Sequence, residues 1–570
     1  MKPGTRCETS RSWRPDRPER SARPSLGWEA SSAGRALALL LLGFTVWRAW
    51  TVVHVGAGLH VDEAQYWAWS QALDWGYYSK PPMIAGIIAL STALLGDGLL
   101  GVKALAMLCY PLTAWVMYRW VGEVAADVAA EPGARAERAG WLAALLFIAS
   151  PVAGLLGLAA TTDAPLLLMW SLASRSLWRA WRDGRRVDWL MLGLWGGLGL
   201  MSKYTMAAFA VSALGLLLTV PRRRSGGLNL PRGMALAALV AFICILPNLA
   251  WNAAHGWPTL RHTAEITVGA QSEPLLQTVG GYLGGLLLLV GPVVVPWTLL
   301  WAWRARGATA TTASTREDDG QPTRREAAWM AAWLAGPLAA IGAAQALHAQ
   351  AELNWAAPVL IGTILGLVLW LRPERPARHL GGWYAALAAQ AVLIGAVTLA
   401  GDLAHWLHHP LPRQMDVWAR MRGWDQAFDL LKPAVREHWA RTGVNGADLA
   451  APLVLGEDRA VLANGAYAWR ELAPQWTAWR APGQLPHDHF QLSVPLRPSA
   501  QPQPILIVGA GRPEASLLAA LARPPRRVAV ADVEQTPGRR LHLELWEAEL
   551  APQSPDMAQA TRPPTATRVR

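Results

Sequence analysis

Residues 61–82 read VDEAQYWAWSQALDWGYYSKPP and lie between two apolar segments of the chain. The stretch begins with adjacent carboxylates at Asp62 and Glu63, continues with a group of aromatic residues, and ends with Lys80 before two prolines. Ionisable residues beside hydrocarbon are costly and usually indicate function. The meaning of this stretch therefore depends on which side of a membrane it faces.

The composition predicts a polytopic α-helical membrane protein. Of 570 residues, 52% are hydrophobic and 16% charged, and the apolar residues form blocks such as LALLLLGFTVW and ALAALVAFICILP. These blocks approach the roughly 20 residues that span hydrocarbon. We predict eleven spans, at about 36–54, 99–120, 139–158, 163–181, 188–201, 204–220, 232–250, 278–302, 327–346, 355–371 and 381–401.

Charge excludes some classes of function and sets the predicted orientation. The net charge of +12 does not indicate nucleic-acid binding, because the arginines lie in short loops between apolar blocks. If the N-terminus is cytoplasmic and the short apolar segment 83–96 does not cross, the arginine-rich loops all face inward, as the positive-inside rule requires. If 83–96 crossed, these loops would face outward. The three cysteines imply no disulfide framework.

This topology divides the chain into four parts. Residues 1–35 are a basic, disordered cytoplasmic tail, 36–401 the membrane domain, 402–550 a small outer α/β domain, and 551–570 a disordered tail. The loop 55–98 lies outside, with short helices along the membrane surface. We interpret the GAGR segment of the outer domain as an ordinary turn after a strand, and the HDH at 487–489 as a polar loop.

Polar residues collect in the predicted outer loops, at the ends of different spans. Each has a functional and a structural interpretation. Asp62 is a candidate general base beside Glu63, or the two are an acidic pair at a helix N-terminus. Asp163 is a second acidic candidate, or a helix N-cap. Lys80 and Lys203 are candidate ligands of a lipid phosphate, or they extend to headgroups.

Further candidates surround these charges. The donor phosphate could also be contacted by Arg261 with a bidentate fork. Aromatic and amide residues of the same loops could line a substrate pocket, although a capping or loop role is an alternative for each amide or histidine. The members of this set are Tyr66, Tyr77, Tyr204, Asn252, His255 and Asn354, and Tyr78 is a further candidate contact of the donor phosphate.

The stretch VDEAQYWAWSQALDWGYYSKPPMIAGIIA resembles the first outer loop of the GT-C membrane glycosyltransferases. The resemblance is to the dolichyl-phosphate-mannose-protein mannosyltransferase-like group that includes the bacterial aminoarabinose transferase. The later segments TTDAPLLLMW, GLGLMSKYTM, LPNLAWNAAHGWPTLRHT and AELNWAAP are similar to blocks of that group in the same order. The resemblance covers roughly residues 35–400.

The resemblance implies transfer of a sugar from a polyprenyl-phosphate carrier to an acceptor hydroxyl of a lipid, protein or glycan, at the outer face of a bacterial plasma membrane. It implies that Asp62 is the catalytic aspartate with Glu63 beside it, that Lys80 contacts the carrier phosphate, and that Asp163 is a second acid. Some members bind a divalent metal, but the residues do not require one here. Two other hypotheses remain, a polyprenyl-linked glycan flippase and a non-catalytic scaffold.

Overall fold

A computed structural model describes residues 31–129, 133–221, 227–268, 274–305, 323–348, 353–372, 380–409, 411, 415–441, 453–497 and 499–552. Most of both predicted tails lies outside these residues. Among the described residues up to 398, the regular elements are all helices. Its helices are α1 (Ser32–Val55), α2 (Val61–Ser70), α3 (Met83–Leu95), α4 (Leu99–Ala129), α5 (Ala134–Ile148), α6 (Pro151–Gly154), α7 (Asp163–Asp183), α8 (Arg186–Ser202), α9 (Ala207–Thr219), α10 (Leu230–Ala254), α11 (Pro258–Val268), α12 (Leu275–Val290), α13 (Val294–Ala305), α14 (Arg324–Ala346), α15 (Val359–Leu371) and α16 (Leu380–Thr398).

Five of these helices are long and apolar enough to cross a membrane, namely α1, α4, α10, α14 and α16. Counting each bent helix pair as one span raises the number among the described residues to seven. The predicted span 278–302 is wrong as one straight helix, because α12 and α13 meet at 88°. Gly291, at φ 124°, and the following Pro292 explain the break. The predicted span 139–158 bends by 57° before Pro151. The total of eleven spans stays a prediction.

The two ends of the helical bundle carry different charge pairs. Lys103 in the first turns of α4 and Asp163 at the start of α7 lie at one end, where both helices begin near α2. At the other end, Glu123 of α4 accepts from Arg175 and Arg179 of α7, with Arg179 Nη2 at 2.7 Å from Oε1. Because α4 and α7 run in the same direction, the later turns of both helices lie side by side, and the acidic residue of α4 there pairs with the arginines of α7.

The connection between α1 and α4 stays at one end of the bundle. Helix α2 begins with a capping box, in which His60 accepts from the backbone and the Glu63 carboxylate accepts from the backbone N–H of His60 at 2.9 Å. Trp67 of α2 donates to Asp97, just beyond the end of α3, at 2.9 Å. The C-terminal end of α3 therefore lies close to α2, and the prediction that the segment 83–96 does not cross stays a prediction.

The last part of the chain contains a mixed sheet with helices beside it. The elements are α17 (Ala400–Trp406), α18 (Trp424–Arg441), β1 (Leu453–Gly456), α19 (Arg459–Ala468), β2 (Gln475–Ala478), α20 (His489–Ser493), β3 (Gln503–Gly509), α21 (Ala515–Leu518), β4 (Arg526–Thr536) and β5 (Arg539–Leu550). The strand order is β2-β1-β3-β5-β4, with β1 parallel to β2 and β3, and β5 antiparallel to β3 and β4. Alternating inward residues of β3 to β5 pack against α18.

This C-terminal domain packs directly on the loop that contains α2. The rings of Trp67 and Tyr467 meet edge to face at 5.2 Å, and the Tyr467 hydroxyl donates to the Asp97 carbonyl at 3.0 Å. His489, at the start of α20, lies 5.3 Å from the rings of both Trp69 and Tyr77. The contacts join the domain to the aromatic residues of the opening sequence stretch, and they place α19 beside Asp62.

Candidate functional site

The adjacent carboxylates Asp62 and Glu63 have opposite environments. The Asp62 side chain is 43% exposed and faces the C-terminal domain, where its Oδ1 accepts from Nη1 of Arg459 at 2.9 Å. It is therefore open to a substrate hydroxyl, as a general base must be. A helix turns adjacent side chains about 100° apart, which is why the two carboxylates point to different neighbours.

Glu63 is fully engaged by the protein. Its carboxylate is 1% exposed, lies 2.7 Å from Nζ of Lys103 through both oxygens, and accepts from the backbone N–H of Ala160 at 2.7 Å. With the bond to His60 N–H added, its acceptor capacity is nearly filled. The catalytic role predicted for Glu63 is not supported by these contacts, and Asp62 and Glu63 do not fit a shared divalent metal. Within the described ranges, no group of three acidic, histidine or cysteine side chains could hold one.

Asp163 and Lys203 form a second buried ion pair at the same end of the bundle. Nζ of Lys203 lies 2.8 Å from Oδ1 of Asp163, with side chains 6% and 2% exposed. Asp163 is the first residue of α7, and Thr162 occupies the N-cap position. The alternative interpretation of Asp163 as an N-cap is therefore wrong. The pair brings a cation from the end of α8 to the beginning of α7.

Lys80 is a cation without an anionic partner at contact distance. Among the described residues, no side chain accepts a hydrogen bond from its Nζ or forms an ion pair with it. Burial lowers its pKa, and the neighbouring charge of Lys203 lowers it further, against the opposing effect of Asp62 and Asp163. A lysine in this environment gains from binding an anion.

Lys80 and Lys203 both line a cavity of about 270 Å³. The lining also includes the polar residues Ser79 and Tyr204 and apolar residues such as Leu338 and Ile341 of α14. The cavity therefore offers two ammonium groups together with hydrocarbon contacts. This combination suits a phosphate attached to a long apolar chain.

Two predicted pocket residues take positions beside these charges. Tyr66 of α2 is 5% exposed, and its pKa is raised well above the usual value by burial and then by Asp62 and Asp163. Its hydroxyl therefore stays protonated. Tyr204 donates to Asn248 Oδ1 at 2.5 Å and accepts from Nδ2 of Asn252 at 3.3 Å. The amide of Asn252 thus holds the Tyr204 ring at the cavity.

The other predicted residues lie outside the cavity wall. Tyr77 uses its hydroxyl to bond the Trp69 carbonyl at 3.1 Å. His255 stacks on Trp251 at 4.2 Å and ends α10. Tyr78 packs on His262, next to the exposed Arg261. Asn354 is exposed, although the adjacent Trp355 lines the cavity. The structure brings none of these five residues, including the predicted phosphate contact Arg261, to the cavity itself.

Two charged residues of the site were not among the predicted ones. Lys103 is a lone cation in the first turns of an apolar helix, a signal that could have indicated a buried partner. Arg459 follows Asp458 after a short strand, and nothing in its local sequence indicates contact with Asp62, which lies 397 positions away. Only the packing of the domain on α2 reveals it.

Comparison with known proteins gives three results. Residues 79–251 match the family model of dolichyl-phosphate-mannose-protein mannosyltransferase. The chain is 29% identical over 464 residues to the lipid A galacturonosyltransferase RgtD of Rhizobium johnstonii. The aligned region covers 80% of this chain and 86% of the relative. The crystal structure of ArnT from Cupriavidus metallidurans bound to undecaprenyl phosphate superposes with a TM-score of 0.54 at 14% identity, covering 91% of this chain and 98% of that one. The apo structure of the same protein gives a TM-score of 0.55.

These matches bear on the predictions made from the sequence. The likeness to ArnT confirms the fold class, a helical membrane protein with a small C-terminal α/β domain. The family-model match begins at Ser79, beside Lys80, and ends at Trp251, so it contains Asp163 and Lys203 but not Asp62. Together the three results confirm the resemblance stated above from the outer-loop sequence.

Proposed function

We propose that this chain, which is similar to membrane glycosyltransferases of the GT-C group, transfers a galacturonic acid residue from a polyprenyl-phosphate donor to a hydroxyl of lipid A. The sugar and the acceptor are those in the name of the 29% identical relative. The observation that carries the donor class is the unpaired ammonium of Lys80 beside Lys203 in a cavity whose surface is mostly apolar.

The cavity explains why a polyprenyl phosphate is preferred to a nucleotide sugar. A nucleotide donor would need polar partners for its base and ribose, whereas the cavity surface is mostly apolar and includes α14 side chains such as Leu338 and Ile341. Burying apolar surface there favours an isoprenoid by about 25 cal/mol per Å². The phosphate then lies between Lys80 and Lys203.

The reaction follows from the positions of Asp62 and Lys80. The acceptor oxygen attacks the anomeric carbon, and the bond between that carbon and the phosphate oxygen breaks. The phosphate leaves with the electron pair as polyprenyl phosphate, whose growing negative charge Lys80 stabilises. The half-exposed carboxylate of Asp62 takes the acceptor proton. A single displacement inverts the anomeric carbon.

Asp163 and Glu63 have supporting roles in this proposal. Asp163 fixes Lys203 at 2.8 Å, so that the second ammonium stays at the cavity. Glu63 fixes the first turn of α2 through Lys103 and Ala160, and thereby the position of Asp62. A base held by a rigid helix loses little entropy when the acceptor arrives.

We also propose that the Asp62 end of the bundle and the C-terminal domain face outward from a bacterial inner membrane. The supporting observation is that Arg175, Arg179 and Arg182 collect at the opposite end, where the positive-inside rule places arginines. Cysteine-accessibility labelling at an exposed residue of the domain, such as Arg523, tests this orientation in intact spheroplasts. Protection of that position from an impermeant reagent would contradict it.

The transfer reaction is tested with purified protein in detergent. Radiolabelled polyprenyl-phosphate galacturonic acid is incubated with lipid A, and both labelled lipid A and released polyprenyl phosphate are measured. Lys80→Gln should lower donor kcat/KM by about 10- to 100-fold, since one charge-assisted contact is lost. The control Lys432→Gln removes an ammonium that pairs with Asp429 on α18 and should leave transfer unchanged. Donor hydrolysis without labelled lipid A, or movement of the donor across the bilayer without labelled lipid A when the protein is reconstituted in liposomes, would contradict the proposal.

A further inference from the structure

Arg459 extends from the C-terminal domain into the candidate site. It is the first residue of α19, whose N-terminus is capped by Asp458 through the backbone N–H groups of Ala460 and Val461. This cap fixes the start of the helix beside α2. The Arg459 side chain then bridges two residues of α2, at 2.9 Å from Asp62 Oδ1 and 2.8 Å from Gln65 Oε1.

Both of these bonds use the same nitrogen, Nη1. Within the part of the chain that the structure describes, Nε and Nη2 of Arg459 have no hydrogen-bond acceptor. The side chain is 44% exposed. A guanidinium presents its donors as a planar fork that matches the two oxygens of a carboxylate. The Nε–Nη2 edge is therefore a free bidentate site for a carboxylate.

Nearby protein carboxylates do not fill this edge. Asp458 accepts from the first backbone N–H groups of α19, and Asp488 accepts from the backbone N–H of Gln491 at 2.8 Å. Asp62 faces the Nη1 side. A ligand that supplies one further carboxylate would complete the coordination of Arg459.

The free edge is also close to the reacting groups. Arg459 is within electrostatic range of Lys80, Tyr66 and His262 as well as Asp62. The anomeric carbon must lie between the phosphate at Lys80 and the acceptor oxygen at Asp62. The sugar ring attached to that carbon therefore occupies the space that Arg459 borders.

We propose that Arg459 is the specificity-determining residue for the donor sugar, and that its Nε–Nη2 edge binds the carboxylate of a uronic acid while Nη1 remains on Asp62 and Gln65. The inference rests on the proposed function, because it assigns one group of the proposed donor. A neutral hexose presents a hydroxymethyl group in place of the carboxylate and leaves the edge empty. Arg459 thus selects the sugar and aligns it with the base through one planar group.

The test compares two donors that differ only at this group. Polyprenyl-phosphate galacturonic acid and polyprenyl-phosphate galactose are assayed with lipid A and the full-length protein, its Arg459→Gln and Arg459→Lys variants, and a control. The control is Arg470→Gln, since Arg470 stacks 4.4 Å from the Tyr467 ring and donates to the Tyr467 carbonyl. KM and kcat are determined for both donors.

The result expected is a loss of discrimination. The unmodified protein prefers the uronic acid donor by about 10- to 100-fold in kcat/KM, the value of one charge-assisted bidentate contact. Arg459→Gln reduces this ratio to near one, mainly through the KM of the uronic acid donor. Arg459→Lys keeps the charge without the fork and gives an intermediate ratio. Arg470→Gln keeps the original ratio.

The ratio separates this role from a purely supporting one. Loss of the contact to Asp62 slows both donors equally and leaves the ratio unchanged, so an unchanged ratio in Arg459→Gln and Arg459→Lys overturns the inference. A preference of the unmodified protein for galactose also overturns it. If the unmodified protein transfers neither sugar, the proposed function itself fails. If Arg459→Gln does not fold, Arg459→Lys supplies the same comparison.

Discussion

Glu63 of α2 and Lys103 of α4 form an ion pair that is almost completely buried, with Nζ 2.7 Å from both carboxylate oxygens. The adjacent Asp62 is 43% exposed and bonded to another domain. One of these neighbours in sequence is thus a buried structural residue, and the other is the partly exposed carboxylate that we propose as the base.

Glu63→Gln should destabilise the protein, because it leaves the Lys103 ammonium buried without a counter-charge. Removing one partner of a buried pair costs about 3–5 kcal/mol. The measurement is the apparent melting temperature in detergent, compared with that of Asp62→Asn. A Glu63→Gln protein with unchanged melting temperature and no transfer activity would show instead that Glu63 acts chemically.

Asp62→Asn should abolish most transfer while the fold is retained. The amide keeps the size of the side chain but cannot accept the acceptor proton, so kcat should fall by at least about 100-fold. The partly exposed position implies little change in melting temperature. Single-turnover assays check the chemical step directly. Activity near that of the unmodified protein would refute the assignment of Asp62 as the base.

The Asp163–Lys203 pair predicts coupling between two substitutions. Asp163→Asn and Lys203→Gln should each lower the melting temperature, because each leaves one buried charge unpaired. The double variant should recover part of that loss, since no charge then remains. Transfer should remain low in the double variant because the cavity lacks its second cation. Additive losses in the double-mutant cycle would mean that the two side chains do not interact.

The pH dependence of kcat/KM for the donor should reveal deprotonation of the Lys80 ammonium. The protonated ammonium binds phosphate, so binding is present below its pKa and is lost as pH rises through it. Burial lowers the Lys80 pKa from 10.5, so kcat/KM should fall at a less alkaline pH than for an ordinary lysine. Lys80→Arg should move this loss to higher pH, because arginine stays charged. An identical alkaline limb in both proteins would assign it to another group.

His489 should make the attachment of the C-terminal domain sensitive to acid. Burial against Trp69 and Tyr77 lowers its pKa from 6.5 to about 3, so the folded state resists protonation. The unfolded state gains a proton below pH 6.5, so stability falls as pH decreases from 6.5 towards 3. His489→Phe should reduce this acid sensitivity in melting curves, whereas the exposed His487→Phe should not. Equal acid sensitivity of all three proteins would contradict the prediction.

Much of the site could be predicted because its residues occur in long apolar surroundings. Lys80, Lys203 and Asp163 are conspicuous there, and the structure brings the two lysines to one cavity and Asp163 into contact with Lys203. Their pairing could not be predicted, since it depends on which helices pack together. The bend between α12 and α13 was missed although Gly291 and Pro292 mark it, because mean hydropathy remains high through both helices.

The contributions of the C-terminal domain were hidden for a different reason. Its strands and α19 follow from local pattern, but Arg459 reaches Asp62 only because Tyr467 and His489 fit against the aromatic residues of the first loop. A surface arginine after an aspartate has many ordinary explanations. Contacts between domains depend on shape, which a single sequence does not encode in any short stretch.

The bond between Asp62 and Arg459 also has a consequence for biogenesis. During synthesis Asp62 and Glu63 emerge from the ribosome early. The partners of Glu63, which are Lys103 and the backbone N–H of Ala160, emerge later, and Arg459 emerges later still. Until Arg459 has been synthesised and α19 has folded, the nascent chain has the Asp62 carboxylate without the arginine that we propose to select the sugar. Carrier lipid that meets a half-made chain would therefore find its headgroup site incomplete.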